Sequence, residues 1–264
     1  MLSASNLTIT FNPGTPIETR ALRGLSLDIP SGQFVTVIGS NGAGKSTFLN
    51  AVSGDLPIDS GTIIIDDNDV TRQPVWQRAS RVARVFQDPM AGTCEDLTIE
   101  ENMALAMARG KPRGLSKAVK HAMRDLFRER LATLGLGLDN RLSDRIGLLS
   151  GGQRQAVSLL MAALQPSRIL LLDEHTAALD PRTAQFVLEL TARIVAENKL
   201  TTMMVTHSMR QALDVGDRTV MLHQGRVVLD VSGSDRKGLD VPDLLRMFEQ
   251  VRGEKLSDDG LLLG

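Results

Sequence analysis

The stretch GSNGAGKST, residues 39–47, has the spacing G-x-x-x-x-G-K-[ST]. It follows the apolar run FVTVIG (34–39), which is typical of a buried strand, and a helix is predicted to begin near Lys45. Glycines in such a loop let backbone N–H groups and the positive end of a helix point at phosphates. Lys45 adds positive charge, and Ser46 adds a hydroxyl for Mg²⁺. The stretch predicts a nucleotide-binding phosphate loop; an ordinary glycine-rich turn is the alternative, and the spacing does not fit a dinucleotide-binding loop.

Apolar runs outside this loop predict alternating strands and helices. The first 30 residues or so alternate polar and apolar side chains, with a turn at NPGTP (12–16), which predicts an antiparallel sheet. Residues from about 90 to 165 have a helical pattern, and Thr98 with Glu101 predicts a capping box. Further elements are predicted as strands over 61–67, 169–173 and 201–207, a helix around 182–197, a hairpin over 220–231 turning at Gln224–Gly225, and an amphipathic segment over 243–251. The fold class is therefore α/β: a core with a mostly parallel sheet, an N-terminal antiparallel β subdomain and an inserted α-helical subdomain.

Polar side chains follow several of these strands. ILLLDE (169–174) ends in Asp173 and Glu174, at the edge where open α/β sheets bind ligands. Asp173 would hold Mg²⁺ and Glu174 would polarise a water molecule, although two acids here could simply cap the next helix. Gln87, after a third strand, could bridge Mg²⁺ and water, and His207 ends a fourth. Taken singly, Gln87 is more typical of a surface residue and His207 of a core residue.

A second helix start has an unusual composition. LSGGQ (149–153) places Ser150 as a natural N-cap, with Gln153 as its capping-box partner. Gly151 and Gly152 leave a bare, positively polarised helix start that suits a phosphate. Because the chain already has a phosphate loop at Lys45, we expect two copies to face each other, each helix start covering the nucleotide of the other copy.

Composition excludes several classes of function. The 264 residues carry a net charge of -1, and aromatic residues make up 3%. This balance disfavours nucleic acid as a partner, both as a basic surface and as an aromatic stacking platform. The single cysteine, Cys94, excludes an internal disulfide framework and reads as a small packing residue. We expect no signal peptide, and no apolar run approaches the roughly 18 residues of a membrane span.

These residues, in order along the chain, resemble the nucleotide-binding subunit of an ABC transporter. The resemblance covers about residues 2–235 and rests on six motifs: GSNGAGKST, Gln87, LSGGQ, ILLLDE, AALD (177–180) and His207. It implies an ABC-type ATP-binding domain over 1–235, a helical insert at about 88–164 and a helical tail over 236–264. It also implies a P-loop NTPase core that uses ATP and Mg²⁺.

The resemblance assigns roles to matching positions. Glu174, His207 and Gln87 match the catalytic glutamate, the switch histidine and the Q-loop glutamine. Ser46, Gln87 and Asp173 match the metal-binding positions. Nucleotide contacts are implied for the phosphate loop, the signature and the D-loop aspartate, with Phe11 as the candidate for stacking on adenine: Phe11, Gly39, Ser40, Asn41, Gly42, Ala43, Gly44, Lys45, Ser46, Thr47, Ser150, Gly151, Gly152, Gln153 and Asp180. A core position is the alternative for Phe11.

The sequence departs from the family at Ser40 and His175, where many relatives have proline. His175 frees a backbone N–H, and we expect a less rigid turn beside Glu174. The chain is similar to ATPases of branched-chain-type amino-acid importers, and within them to the tryptophan/tyrosine-type branch. The implied partners are an integral-membrane permease, a second ATPase subunit and, indirectly, an extracytoplasmic solute-binding protein. The implied location is the cytoplasmic face of the inner membrane, as a peripheral subunit. A soluble scaffold or assembly ATPase and an exporter ATPase are the alternatives.

A basic stretch lies in the predicted insert. Between residues 109 and 130 there are eight lysines and arginines against two acids: Arg109, Lys111, Arg113, Lys117, Lys120, Arg124, Arg128 and Arg130, with Asp125 and Glu129. Such a face could favour anionic lipid headgroups. An ordinary solvated helix face is the alternative, and the pattern favours it.

Overall fold

The computed structural model describes residues 1–111 and 119–252, with only the backbone described for 251–252. The chain divides into two compact units. Unit 1 comprises Met1–Arg78 together with the chain from Leu200 onward, and unit 2 comprises Ala79–Lys199. Each unit has its own strands and helices.

The helices and strands follow one another along the chain in the predicted alternation. The strands are β1 (Leu2–Phe11), β2 (Thr19–Ile29), β3 (Phe34–Ile38), β4 (Ser60–Ile65), β5 (Asn68–Asp69), β6 (Val82–Val85), β7 (Ile169–Asp173), β8 (Thr202–Val205), β9 (Arg218–His223) and β10 (Arg226–Ser232). The helices are α1 (Lys45–Ser53), α2 (Val75–Arg78), α3 (Ile99–Met107), α4 (His121–Ala132), α5 (Gly151–Ala163), α6 (Pro181–Asn198), α7 (Met209–Asp214), α8 (Gly233–Arg236) and α9 (Val241–Arg252).

Unit 1 contains the predicted N-terminal antiparallel sheet, with strand order β2-β1-β4-β5. Strand β1 pairs with β2 in a register that places Leu7 opposite Leu25 and Ile9 opposite Leu22. These four side chains are buried, and the intervening Thr8 and Thr10 are not. The period-2 pattern of the sequence therefore gives a sheet with one apolar face.

The other strands of unit 1 run in the order β10-β9-β3-β8, with β3 parallel to both β8 and β9. All five residues of β3 are buried, as expected for a parallel strand covered on both faces. The predicted hairpin is confirmed: β9 and β10 are antiparallel, and Gln224 and Gly225 have φ angles of 46° and 74°. Two positive φ angles in a two-residue loop suit the twist of a hairpin.

The predicted C-terminal amphipathic segment is helix α9. Its Leu244 and Phe248 are buried in an apolar cluster with Met209, Met221 and Val231. Phe248 also meets the ring of His223 edge to face, with the ring centroids 5.5 Å apart. Helix α9 is thus packed onto the core of unit 1.

Unit 2 holds the parallel pair β6 and β7, in which Arg84 lies opposite Leu171, and the helices α3 to α6. The capping box of α3 is confirmed: the Thr98 hydroxyl accepts from the Glu101 N–H, and the Glu101 carboxylate accepts from the Thr98 N–H. Helix α6 begins at Pro181, which suits the first helical position. Within the predicted helical region, about 90–165, the described residues form the three helices α3, α4 and α5, and long turns and loops join them.

Three of the six described cations in the basic stretch have partners within the chain. Arg124 forks onto Glu100 at 2.7 and 2.8 Å, and Arg128 pairs with Asp125 at 3.1 Å. Arg109 donates to the carbonyl oxygens of residues 162 and 165. Arg113 and Lys117 lie outside the described residues. Local pairing therefore accounts for three cations, whereas Lys111, Lys120 and Arg130 are exposed.

Candidate nucleotide site

The phosphate loop adopts a backbone that its glycines make possible. Gly39, Gly42 and Gly44 have φ angles of 149°, 75° and 99°. A Cβ on Gly39 would lie 2.2 Å from the Leu222 carbonyl oxygen, and one on Gly44 would lie 2.7 Å from that of Ala21. Larger residues at these two positions would therefore force the loop away from its own β-sheet neighbours.

Lys45 opens helix α1, and its ammonium group is held by the loop. Its Nζ donates to the carbonyl oxygens of Gly39 at 2.7 Å and Ser40 at 3.1 Å, and the residue is 6% exposed. The N-cap of α1 is Gly44, which offers no side-chain capping bond. Asn41, Gly42 and Ser46 are exposed. The loop thus combines a positioned cation with an uncapped helix start, as a phosphate site requires.

His207 lies at the same edge of the sheet as this loop. Val37 on β3 is in register with Val205 on β8, and the Thr206 N–H donates to the Val37 carbonyl at 3.1 Å. Gly39 and His207 therefore each follow the paired residues by two positions. His207 is exposed and not a core residue. The parallel strands bring the histidine to the side on which the loop opens.

Phe11 ends β1 on the same face as Ile9, opposite Thr19. It is 38% exposed, whereas Ile9 is 2% exposed. The alternative that placed Phe11 in the core is therefore wrong. An aromatic face that solvent can reach stays available for stacking.

In unit 2, Gln87 and Glu174 follow neighbouring strands. Val85 is in register with Leu172, so each of the two polar residues lies two positions past the pair. Glu174 has a φ angle of 45°, a left-handed conformation that costs a non-glycine residue about 1 kcal/mol. Such outliers gather at functional sites because the surrounding structure holds them.

Asp173 has a charged neighbour that the sequence analysis missed. Arg84 Nη2 donates to Asp173 Oδ2 at 2.7 Å, and the two side chains are 14% and 15% exposed. The Arg84 guanidinium also lies 4.5 Å from the centre of the Phe86 ring. The only signal in the sequence is one arginine within the otherwise apolar strand VARV (82–85).

The helix start at LSGGQ is capped as predicted. Ser150 Oγ accepts from the Gln153 N–H at 3.3 Å, and Gln153 Oε1 accepts from the Ser150 N–H at 3.1 Å. Gly151 is exposed, and a Cβ there would meet only Leu179 at 3.6 Å. Gly152 is buried, and a Cβ there would lie 2.1 Å from Thr183 Cγ2. Only Gly151 is thus open to a ligand, whereas Gly152 is required by the chain's own packing.

Asp180 caps the helix that packs beside this glycine. Its Oδ1 accepts from the Thr183 N–H at 3.1 Å, and the hydrogen bonds from Thr183 hold the pKa of Asp180 below its usual value. Because Thr183 also touches Gly152, the turn at Asp180 and the LSGGQ helix start are fixed together within unit 2.

The next turns of α5 are tied to the Gln87 segment. Gln155 is fully buried and donates to the Phe86 carbonyl at 3.1 Å. Arg154 donates to the Met90 sulfur and to the Gly147 carbonyl, the latter at 2.8 Å. The segment around Gln87 is therefore hydrogen-bonded directly to the helix that carries LSGGQ.

His175 supports the turn after Glu174 from inside the unit. It is 1% exposed, and its Nε2 lies 2.8 Å from Thr191 Oγ1. The Thr191 hydroxyl donates to the Val187 carbonyl, so Nε2 carries the hydrogen and donates to Thr191. Burial lowers the pKa of His175 to about 4. His175 is therefore a neutral packing residue and does not contact nucleotide.

The donor types of the predicted metal positions fit Mg²⁺. The Ser46 hydroxyl, the Asp173 carboxylate and the Gln87 amide offer hard oxygen ligands. Among residues 1–111 and 119–252, no group of three or more histidine, cysteine, aspartate or glutamate side chains could hold a metal ion. A metal bound by one or two protein groups together with nucleotide phosphates is the usual arrangement for Mg²⁺.

Comparison with known proteins identifies the family to which the chain is similar. The family model described as ABC transporter matches residues 22–177. A tyrosine transport ATP-binding protein of Clostridioides difficile is 46% identical over 251 residues, covering 94% of this chain and 99% of that protein. The energy-coupling factor transporter ATP-binding protein EcfA2 of Clostridium acetobutylicum is 31% identical over 264 residues, covering 95% of this chain and 89% of that protein.

Solved structures are similar as well. A dimeric post-hydrolysis state of the ATP-binding cassette MJ0796, bound to ADP and Pi, has a TM-score of 0.73 at 29% identity and covers 88% of this chain and 98% of its own. The ADP conformation of the cassette MJ1267 has a TM-score of 0.76 at 22% identity, covering 94% and 98%, and speaks for the fold alone.

The α/β fold and the phosphate loop define a P-loop NTPase, as the sequence predicts. The chain belongs to the ABC transporter family and is an ATP-binding subunit with ATP hydrolase chemistry. In the described part of the chain, no helix is long and apolar enough to cross a membrane.

Proposed function

We propose that this ABC ATPase drives solute import through a separate membrane permease, and that its cargo is an aromatic amino acid such as tyrosine. The observation that carries the proposal is the 46% identity to a tyrosine transport ATP-binding protein over nearly the full length of both chains. All six sequence motifs stand at strand or helix ends that suit their roles, which supports the ATPase part.

ATP binds with its phosphates on the loop of residues 39–47 and its adenine on Phe11. Lys45 exchanges the loop carbonyls for β- and γ-phosphate oxygens, so its burial against the loop already positions the charge. Ser46, Asp173 and Gln87 supply the oxygen ligands for Mg²⁺. When bound, Mg²⁺ neutralises charge on the phosphates.

Hydrolysis depends on positioning more than on covalent chemistry. Glu174 orients and polarises the attacking water, and its left-handed backbone fixes the carboxylate at the end of β7. His207 contacts the γ-phosphate and reports its loss. Phosphoryl transfer to this water then yields ADP and phosphate.

The complete site forms in a head-to-tail dimer. The exposed Gly151 at the start of α5 gives the backbone of one copy a close approach to the γ-phosphate held by the other. Coupling of this dimer to the permease is supported by the bonds from Gln155 to Phe86 and from Arg154 to Met90. Through them, the Gln87 loop and the helical insert transmit closure and reopening of the dimer to the permease.

The working unit has the ATPase dimer at the cytoplasmic face of the inner membrane, attached through the permease. An extracytoplasmic solute-binding protein delivers the cargo and has no direct contact with this chain. Nucleic acid has no part in it.

The test is capture of the tagged full chain from detergent-solubilised membranes, followed by mass spectrometry and by uptake of labelled tyrosine in vesicles made from the captured complex. We expect a multi-span permease in the eluate and ATP-dependent uptake, lost with Glu174→Gln and kept with Glu189→Gln, an exposed glutamate of α6. A soluble partner without a permease contradicts the transport assignment. A permease that moves another solute contradicts the cargo alone.

A further inference from the structure

An arginine stands inside an otherwise apolar strand. The strand β6 reads VARV, and its Val82, Ala83 and Val85 are buried. Arg84 lies opposite Leu171 on β7, two residues before Asp173, and its guanidinium reaches forward to the Asp173 carboxylate. The Oδ2 oxygen of Asp173 thereby has a resident cation at 2.7 Å.

The ion pair of Arg84 and Asp173 is expected to add little to the stability of the fold. Taking two charges largely out of water costs roughly as much as their attraction returns, and apolar replacements of such pairs are often neutral or stabilising. The Phe86 ring offsets part of the cost because it faces the guanidinium at 4.5 Å. Arg84 pairs with Asp173, which is a predicted metal ligand, and this indicates a role in the nucleotide site.

We propose that Arg84 is a positioning residue that reserves Asp173 for a metal ion arriving with the nucleotide. The inference rests on the proposed function, in which Asp173 is a ligand of Mg²⁺. A cation at 2.7 Å occupies one carboxylate oxygen and repels a second cation, so Asp173 binds free divalent metal weakly. Nucleotide phosphates bring negative charge that outweighs this repulsion. The metal–nucleotide complex, and not the free metal, is then the species that loads the site.

The experiment measures binding of Mn²⁺ alone to the nucleotide-free, full-length protein, by the electron paramagnetic resonance signal of the free ion. Arg84→Met keeps an unbranched apolar side chain and removes the charged guanidinium group. We expect Arg84→Met to raise the Mn²⁺ affinity of a single site about tenfold. This gain in affinity should disappear when Asp173→Asn is combined with Arg84→Met. Arg84→Lys keeps the positive charge and should bind Mn²⁺ as weakly as the wild type.

One control variant and one replacement variant make the result decisive. Arg141→Met removes another arginine of unit 2, which pairs with Asp144 at 2.7 Å in a more exposed position, and should leave Mn²⁺ affinity unchanged. Arg84→Gln replaces Arg84→Met if the apolar variant does not fold, with the same expected gain. Unchanged or weaker Mn²⁺ binding by a folded, neutral Arg84 variant overturns the inference.

Failure of the inference can be told apart from failure of the proposed function. Asp173→Asn in an otherwise wild-type chain should weaken binding of Mn²⁺ in the presence of ATP. If it does so while the neutral Arg84 variants gain nothing without nucleotide, only the inference is wrong. If Asp173→Asn leaves Mn²⁺ binding with ATP intact, the metal-binding role of Asp173 is wrong as well.

Discussion

Two helix starts of this molecule are built in opposite ways. Helix α1 begins after Gly44, with a left-handed cap residue and no side-chain capping bond. Helix α5 begins after Ser150, with both bonds of a capping box in place. Both starts carry glycines and both are predicted to meet a phosphate. The difference lies in whether side chains of the chain itself cap the helix.

Helix α1 has no side-chain capping bond at its N-cap Gly44. In the proposed complex, phosphate oxygens accept from its first turn. Helix α5 carries its own side-chain cap within unit 2, because Ser150 and Gln153 bond to each other. Its Gly152 fits against Thr183, and its exposed Gly151 stays open to a phosphate. A helix start that is already formed can be presented to a nucleotide held elsewhere without first being ordered. This suits the part of the site that each copy supplies to its partner.

The largest expected effect is at the α1 start. Lys45→Ala removes the ammonium group that leaves the loop carbonyls and binds phosphate oxygens when ATP arrives. The charged oxygens of the β- and γ-phosphates then lack this partner. We expect a loss of about 4 kcal/mol, a roughly thousandfold weaker binding of a fluorescent ATP analogue. Lys237→Ala, an exposed lysine of unit 1, is the matched control and should bind like the wild type. Near-normal binding by Lys45→Ala would show that the loop is not the phosphate site.

Acid should weaken unit 2 without any ligand being involved. His175 is buried and neutral with a pKa of about 4, below the ordinary 6.5. The unfolded chain therefore takes up a proton first as the pH falls. The free energy of unfolding should decline between pH 6.5 and 4 by about 3 kcal/mol from this group, and then level off.

The measurement is urea unfolding at several pH values in that range. His175→Asn, which does not titrate, should lose this part of the slope whatever its absolute stability. An equal slope in the two proteins would mean that His175 is not buried in the neutral form.

The two glycines of LSGGQ should respond differently to the same change. Gly152→Ala places a Cβ against Thr183 Cγ2 at 2.1 Å, so we expect about 1–3 kcal/mol of lost stability. Gly151→Ala meets only Leu179 at 3.6 Å and should leave unfolding almost unchanged. Its effect should instead fall on ATPase activity of the dimer, where backbone approach matters.

Thermal unfolding and ATP turnover of both variants separate the two roles. Gly151→Ala with normal stability and normal turnover would contradict a close approach at Gly151. Gly152→Ala with normal stability would contradict the packing against Thr183.

The smallest effect is at the cap itself. Ser150→Ala removes one of the two capping bonds, and we expect it to cost about 1 kcal/mol in the free energy of unfolding. Ser234→Ala, an exposed serine of unit 1, is the control. A change in ATP affinity of the monomer with no change in stability would mean that α5, like α1, depends on a ligand.

The sequence predicts the parts of this molecule that local rules control. Caps at Thr98 and Ser150, the turn at Gln224–Gly225 and the strand before the phosphate loop follow from neighbouring residues, and all are confirmed. What it misses depends on residues far apart in the chain. Arg84 meets Asp173 only because β6 and β7 pair, and Gly152 meets Thr183 only because α5 packs on α6. No pattern along the chain announces either contact.

His175 shows a different limit. The histidine stands beside Glu174 where many relatives have proline, so from the sequence it could line the site or support it. The hydrogen bond to Thr191, 16 residues away, settles that it packs inward.

In the proposed dimer, the nucleotide bound by one copy contacts the LSGGQ helix start of the other copy. Disulfide cross-linking tests this directly with two single-cysteine proteins, Asn41→Cys and Ser150→Cys, each with Cys94→Ser to remove the exposed native thiol and Glu174→Gln to retain ATP. With ATP, the head-to-tail dimer should give a cross-linked product only when the two proteins are mixed. Absence of that product, or equal cross-linking of each protein with itself, would contradict it.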